Sequence, residues 1–328
     1  MSSTRTSRRA VLLSSAVAVT GALLLSACGS DSGDDGDSGK QNAASDTRRI
    51  TDAQGRKVEV PSDPKKVVAL SEPTLDAALA LGVEPVGTTA GRGQKGASTY
   101  LADKASKAQV VATVAEADME KLAALQPDLI LLDETTGAKK TVDKLQEIAP
   151  TVVTAKLNED WKKAFTDTAD ALNKKADAEK WLTDFETQVA DTKKQLGGNA
   201  GKSVSVVRWQ DGAPSVVGKG DGVVGSTLKA LGLTRPEDQQ GASTGHSEPV
   251  SLEKLDTIDG DWLFLGTLGD EADGEKAYAE AQKVTNFNKL KAEKDKHVVV
   301  IEGSAWNSAG GPLSAQIVLD DVKAALAK

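Results

Sequence analysis

The chain has one cysteine, Cys28, in 328 residues. That excludes a disulfide-stapled scaffold. Its two histidines, His246 and His297, lie far apart in the sequence, so there is no ligand cluster for direct capture of zinc or manganese. Two tyrosines, Tyr100 and Tyr278, are too few to cage bare ferric iron. Positive charge is in deficit, with 40 Lys and Arg against 48 Asp and Glu. Three of the basic residues (Arg5, Arg8, Arg9) precede Cys28 in a stretch with no acid, so the remainder is more acidic than the net −8 of the whole. Nucleic-acid binding is excluded on charge. No G-x-S-x-G elbow occurs and a Ser-His-Asp triad could draw on only two histidines, which leaves an exported α/β hydrolase as no more than the alternative from another class.

What is present is a globular composition, 39% apolar and 27% charged, long enough for two or three compact units. Residues 1–27 combine a basic start with an apolar run over 10–25 that ends in Leu25-Ser26-Ala27-Cys28. The run is shorter than the roughly 20 residues that span a bilayer. It reads as a secretion signal, and it resembles the bacterial lipoprotein signal, in which the cysteine is acylated and becomes the new N-terminus. The resemblance implies lipidation at Cys28 and a location on the outer face of the cell membrane. Residues 28–47, rich in Gly, Ser and Asp, then form a flexible tether.

Three segments follow. Over 48–157, short continuous apolar runs (67–70, 83–86, 129–132, 151–153) alternate with amphipathic stretches such as 74–81, the pattern of a parallel sheet covered by helices. Residues 158–198 contain no proline before the closing Gly197-Gly198, and Trp161, Phe165, Leu172, Leu182, Phe185, Val189 and Leu196 fall at helical steps. The spacing predicts one long helix capped by Asn158, about 55 Å from end to end. Over 199–328 the alternation resumes (204–207, 215–217, 262–265, 297–301) and closes on a helix at 314–327. The fold class expected is α/β, two Rossmann-like lobes joined by one long α-helix.

The lobes share an internal repeat. Met119-Glu120-Lys121-Leu122 followed by Asp128 and the run 129–132 is echoed by Leu252-Glu253-Lys254-Leu255 followed by Asp261 and the run 262–265. Ala80-Leu81-Gly82-Val83 is echoed by Ala230-Leu231-Gly232-Leu233. Two copies indicate paired domains rather than a solenoid.

This ensemble, with Glu248-Pro249-Val250-Ser251-Leu252-Glu253 and the C-terminal Trp306, Gly310-Gly311-Pro312-Leu313 and Val318-Leu319-Asp320-Asp321, resembles the helix-backbone (class III) substrate-binding proteins of ABC importers for ferric siderophores, haem and vitamin B12. The match runs from about residue 48 to the end, and its C-terminal part looks like the siderophore branch. The resemblance implies capture of a ferric siderophore, hydroxamate type favoured, with iron arriving on the ligand and no cofactor or direct metal site. Haem- or cobalamin-binding is the alternative on the same fold. It implies no catalysis, monomeric action, and delivery to an ABC permease through one glutamate per lobe, at Glu120 and Glu253.

Ligands of open α/β lobes gather at the carboxyl ends of strands. There the sequence offers Ser71, Glu72, Arg92, Tyr100, Glu134, Thr135, Arg208, Trp209 and Trp306. By resemblance, siderophore binders pair arginines with aromatic walls, so the expected site is Arg92, Arg208, Trp209, Trp306 and Tyr100; guanidinium forks suit ligand oxygens and indole faces suit apolar backbone. Strand alternation sets Arg208 and Trp209 on opposite faces, and Trp209 serves equally well as core. Trp161, Trp181 and Trp262 read as core. Gly91-Arg92-Gly93-Gln94-Lys95-Gly96 fits G-x-G-x-x-G only by spacing, since the first βαβ unit has already closed, and residues 212–219 miss the phosphate-loop spacing.

Overall fold

The computed structural model describes residues 46–217, 222–241 and 247–327. Cys28, the signal and most of the tether fall outside that range, as does His246. An antiparallel hairpin opens the fold, β1 (Thr47–Thr51) on β2 (Lys57–Pro61). Next come β3 (Val67–Ala69), α1 (Glu72–Ala80), β4 (Gly87–Thr89), β5 (Gln109–Ala112), α2 (Met119–Ala124), β6 (Leu129–Leu132), α3 (Val142–Gln146) and β7 (Thr151–Val153). These strands form an all-parallel sheet in the order β5-β4-β3-β6-β7. Val67, Val68 and Ala69 of β3 and all four residues of β6 are buried, as strands covered on both faces must be.

Two helices follow, α4 (Trp161–Ala171) and α5 (Lys175–Gln195). The second lobe comprises β8 (Val204–Gln210), β9 (Ala213–Val217), α6 (Val223–Ala230), β10 (Ser247–Pro249), β11 (Trp262–Gly266), α7 (Glu271–Ala281), α8 (Lys291–Lys294), β12 (Val298–Val300), α9 (Gly303–Trp306) and α10 (Pro312–Leu326). Its sheet runs β10-β9-β8-β11-β12, with β8, β11 and β12 parallel and β9 antiparallel to both neighbours. No helix among the described residues is long and apolar enough to cross a membrane.

The α/β architecture in two lobes is as the sequence implies, but the joining segment differs. The helix expected across 158–198 is broken at Leu172-Asn173-Lys174, where Asn173 takes the left-handed conformation (φ 57°) and Lys174 N–H returns to Ala169 C=O at 2.7 Å. Asparagine tolerates that conformation, so a helix can end there without glycine or proline. Asn158, expected to cap the helix, is itself left-handed (φ 64°), and Asp160 caps α4 instead. The aromatic stripe that looked continuous is two stripes facing each other: Trp161 meets Phe185 edge-on at 5.8 Å and Phe165 meets Trp181 at 5.5 Å. Both helices bridge the lobes: α4 places Phe165 in the N-terminal core and Trp161 in the C-terminal one, and α5 does likewise. Its Ala178 belongs to the N-terminal core and its Phe185 and Val189 to the C-terminal core, while Trp181 and Leu182 touch both.

A second shift concerns 83–86, which form no strand. Pro85 lacks a ladder donor, and β4 begins after it at Gly87.

The internal repeat has a structural counterpart. Gly82 and Gly232 both end their helices in the left-handed conformation (φ 72° and 77°), and in each case the next residue's N–H bonds back into the helix, Val83 to Ala78 and Leu233 to Leu228. Asp128 accepts backbone bonds from Lys65 and Lys66 just before β3, and Asp261 accepts one from Ser203 just before β8. The same acid therefore ties the central strand of each sheet to its neighbour. The glutamates are less alike. Glu120 lies in the first turn of α2 behind the cap Asp118, whereas Glu253 lies in a turn ahead of a single 3-10 turn at Leu255–Ile258; both are exposed.

Candidate functional site

A cavity of about 290 Å³ opens between the lobes. From the N-terminal lobe it takes Pro73 and Ala77 of α1, Arg92 after β4, Asp133 and Thr135 after β6, and residues 154–159 after β7. These are carboxyl ends of parallel strands, where open α/β folds present backbone and side chains to ligands. The far wall is Val217, residues 222–224, Trp306 and residues 308–312. Trp161 and Phe165 of α4 close the back.

Arg92 sits in the glycine-flanked loop after β4. It has no hydrogen-bond or ion-pair partner among the described residues, and its Nε is buried without one. Arg208 does not line the cavity, yet it faces Arg92: burial first, and then the positive charge of Arg92, hold its guanidinium below its ordinary pKa. Nη2 of Arg208 donates to Ser247 Oγ at 2.7 Å, and its Nε is also buried without a partner. Two guanidiniums without a salt-bridge partner among the described residues, one from each lobe, make this end of the cleft attractive to anions.

The aromatic expectations divide. Trp306 lines the cavity and is fully buried, stacked on Phe264 at 4.8 Å, with Nε1–H donating to Asp321 Oδ2 at 2.7 Å. Trp209 is a correction. Because β8 continues to Gln210, Arg208 shares the face of Val206 and Trp209 the face of Val207, so Trp209 is buried against Phe287 at 5.6 Å in the core behind the sheet. Tyr100 is also corrected. It lies at the lobe boundary but off the cavity, and its hydroxyl donates to Asp76 Oδ2 at 2.8 Å. Trp161, read as core, is both core and cavity wall, and Trp262 stacks on His297 at 4.1 Å on the far side of the lobe.

Of two acids on α1, sequence reasoning named Glu72 as a strand-end residue without giving it a role and passed over Asp76. Ser71 caps this helix with a reciprocal bond to Thr74, and the first-turn Glu72 and Pro73 fix its start at the end of β3. Glu72 and Asp76, one turn apart, then face the other lobe. Glu72 Oε2 accepts from Ser308 Oγ. Asp76 accepts from the backbone N–H groups of Gly311, Leu313 and Ser314 at 3.1, 2.7 and 3.0 Å. Both carboxyls are buried and burial pushes them up, Glu72 to about 7 and Asp76 to about 6; the hydrogen bonds, and for Glu72 the charge of Arg92, only partly offset it.

A pH dependence follows. An acid whose folded-state pKa lies above its unfolded value (4.5 for Glu72, 3.8 for Asp76) contributes most below the unfolded value, and that contribution is lost as pH rises through the folded one. The protein should therefore lose stability as pH rises towards about 7. In urea unfolding, Glu72→Gln should flatten the last part of that loss, from about pH 6, where Asp76 has ionised, to about pH 7. A variant whose midpoint falls as steeply as the parent's contradicts the assignment.

The sequence matches the periplasmic binding protein family over residues 67–305. It is 32% identical over 310 residues to the probable siderophore-binding lipoprotein YfiY of Bacillus subtilis (strain 168), covering 92% of this chain and 93% of that one. It is 28% identical over 321 residues to the petrobactin-binding protein YclQ of the same organism, covering 95% and 98%. Among solved structures, Staphylococcus aureus SirA complexed with staphyloferrin B is 27% identical and superposes with a TM-score of 0.72, covering 85% of this chain and 98% of that one.

Proposed function

The chain belongs to the periplasmic binding protein family, as a class III transport binding protein and not an enzyme, and from that premise we propose that it is the lipid-anchored receptor of an ABC importer, capturing a ferric siderophore between its lobes. The observation that carries the cargo reading is the cavity at the strands' carboxyl ends, walled by both lobes and containing Arg92, which has no hydrogen-bond or ion-pair partner among the described residues. The names of similar proteins support the siderophore class. A volume near 290 Å³ lies at the lower end of the roughly 300–1,000 Å³ of small-molecule sites, so the cavity takes one part of the complex and leaves the rest beside Arg208. Cys28 supplies the anchor, and Glu120 and Glu253 dock the monomeric protein onto the permease.

Hydroxamate donors, with oxygens of partial negative charge, are the reading carried from the sequence. The mutual approach of Arg92 and Arg208 favours a second one, a complex with formal negative charge, because an anion relieves the repulsion that the two guanidiniums exert on each other. Haem fits less well, since the hydroxyl of Tyr100 is committed to Asp76.

Tryptophan fluorescence tests this directly, because Trp161 and Trp306 line the cavity. Ferric citrate, the trihydroxamate ferrioxamine B (a neutral iron core with a pendant ammonium), haem and cobalamin are titrated in parallel. Submicromolar quenching by ferric citrate supports the anionic reading and by ferrioxamine B the hydroxamate one, whereas quenching by haem or cobalamin alone rejects the siderophore assignment. Arg92→Lys and Arg208→Lys, which keep the charge but lose the two-pronged donor, should each weaken the preferred complex about tenfold, or about 1.4 kcal/mol.

A further inference from the structure

The cavity wall over residues 308–312 belongs to the C-terminal lobe, but its hydrogen-bonding partners belong to the other. Helix α10 starts at Pro312 with Gly311 at the cap position and no capping side chain of its own. The first free N–H groups of a helix need acceptors. Here they find Asp76, 235 to 238 residues earlier in the chain, on α1 of the N-terminal lobe. The fit is close: a Cβ on Gly311 would stand 2.9 Å from Asp76 Oδ1. Tyr100 donates to Asp76 from a third side, so its carboxylate accepts four hydrogen bonds. One turn before Asp76, Glu72 receives Ser308 at the other end of the same wall. Pro73 and Ala77, each next in sequence to one of the acids, line the cavity themselves. One helix thus forms one side of the cavity and, through its two acids, grips the opposite side.

We propose that Glu72 and Asp76 are positioning residues for the cargo, holding the wall at 308–312 at a fixed distance from α1 across the lobe boundary. This rests on the cargo reading above, but the bonds of the grip are all within the protein. Glu72 acts through Ser308, and Asp76 acts through Gly311, Leu313 and Ser314; neither acid lines the cavity. Trp306 lies two residues before the wall and Ser308 within it, so loosening either bond set moves groups that would meet the ligand. Charge near the pair comes from Arg92, and Tyr100 stands against both acids.

Hydrogen exchange of the ligand-free protein tests the grip first. In Asp76→Asn, one face of the side chain becomes a donor and meets N–H groups that need acceptors, so exchange across 311–314 should rise at least tenfold while β3 and β8 keep their protection. Tyr100→Phe, which removes a single donor to Asp76, should raise it by a smaller factor and serves if the first variant does not fold. Glu72→Leu should raise exchange at 308–311, and Glu72→Gln, whose amide oxygen can still accept from Ser308, should restore it. Unchanged exchange in Glu72→Leu and in the Asp76 or Tyr100 variant overturns the proposal whatever the protein binds. The second arm is affinity for ferric citrate, and for ferrioxamine B if that is the complex bound. Glu72→Leu and Ser308→Ala should each weaken it about tenfold, their combination should weaken it no further, and Glu72→Gln should recover most of the loss. Additive losses, or loss of melting temperature with affinity intact, reduce the acids to scaffold. If the exchange pattern appears while neither complex binds the parent protein, the grip stands and the cargo assignment falls.

Discussion

Replacing both Glu120 and Glu253 with alanine should abolish uptake of the ferric complex while leaving its binding untouched. Both side chains are exposed, neither lines the cavity, and neither is in an ion pair among the described residues. Each precedes a strand, β6 or β11, that lies beside the central strand of its sheet. Acids at a rim set orientation and encounter more than they add to affinity. Each single substitution should reduce transport by roughly tenfold, and the double by more than a hundredfold, because a protein held at only one lobe can pivot on the permease. Radiolabelled iron uptake in cells, set beside fluorescence titration of the purified variants, separates the two effects. Wild-type uptake by the double variant, or weakened ligand binding, contradicts the docking role. Glu253 is the more instructive single change, since it lies in a turn while Glu120 lies in a helix.

Removing the indole of Trp306 should be the most damaging single truncation to stability. The ring is fully buried, stacks on Phe264 with an interplanar angle of 22°, and donates to Asp321. Cutting a buried tryptophan to alanine costs about 3–5 kcal/mol through lost transfer energy and the void left behind. A further about 1–3 kcal/mol arises because the carboxyl of Asp321, already pushed up to about 6 by burial, loses the donor that offset it. Trp306→Phe keeps much of the stacking and loses only the donor, so it should fall between the two. Urea midpoints of the three proteins at one pH give the comparison, and a cost below about 1 kcal/mol for alanine would show that this wall is softer than its packing implies. As Trp306 also faces the cavity, Trp306→Phe separates the indole's contact with ligand from its part in the core.

How much of this was readable in the sequence depends on which physical signal carried it. The continuous apolar runs at 67–70, 129–132 and 262–265 announce strands buried on both faces, and they are strands. The paired glycines Gly82 and Gly232 mark the same helix end in each lobe. The break at Asn173 was hidden because no glycine or proline marks it, and because two stripes packed against each other look like one stripe when read in order. Strand alternation already separated Arg208 from Trp209, but where β8 ends, and hence which of them faces the cleft, depended on a pairing with β9 that no local pattern specifies. The acids of α1 left a faint trace: Glu72 and Asp76 are spaced by one turn among alanines, leucines and threonines, on a face that should have been apolar. Their partners lie more than two hundred residues away, and local periodicity carries no information about that.

The dependence of α10 on Asp76 also sets an order of events for the newly made chain. A polypeptide that emerges N-terminus first offers α1 long before the fifteen residues of α10 exist, so the first lobe must wait with a buried-to-be carboxylate still in water. Contacts of such long sequence separation form late and slowly. Assembly should therefore finish in one concerted step when the final helix arrives, and a nascent chain stalled before Pro312 should be the species most exposed to proteases.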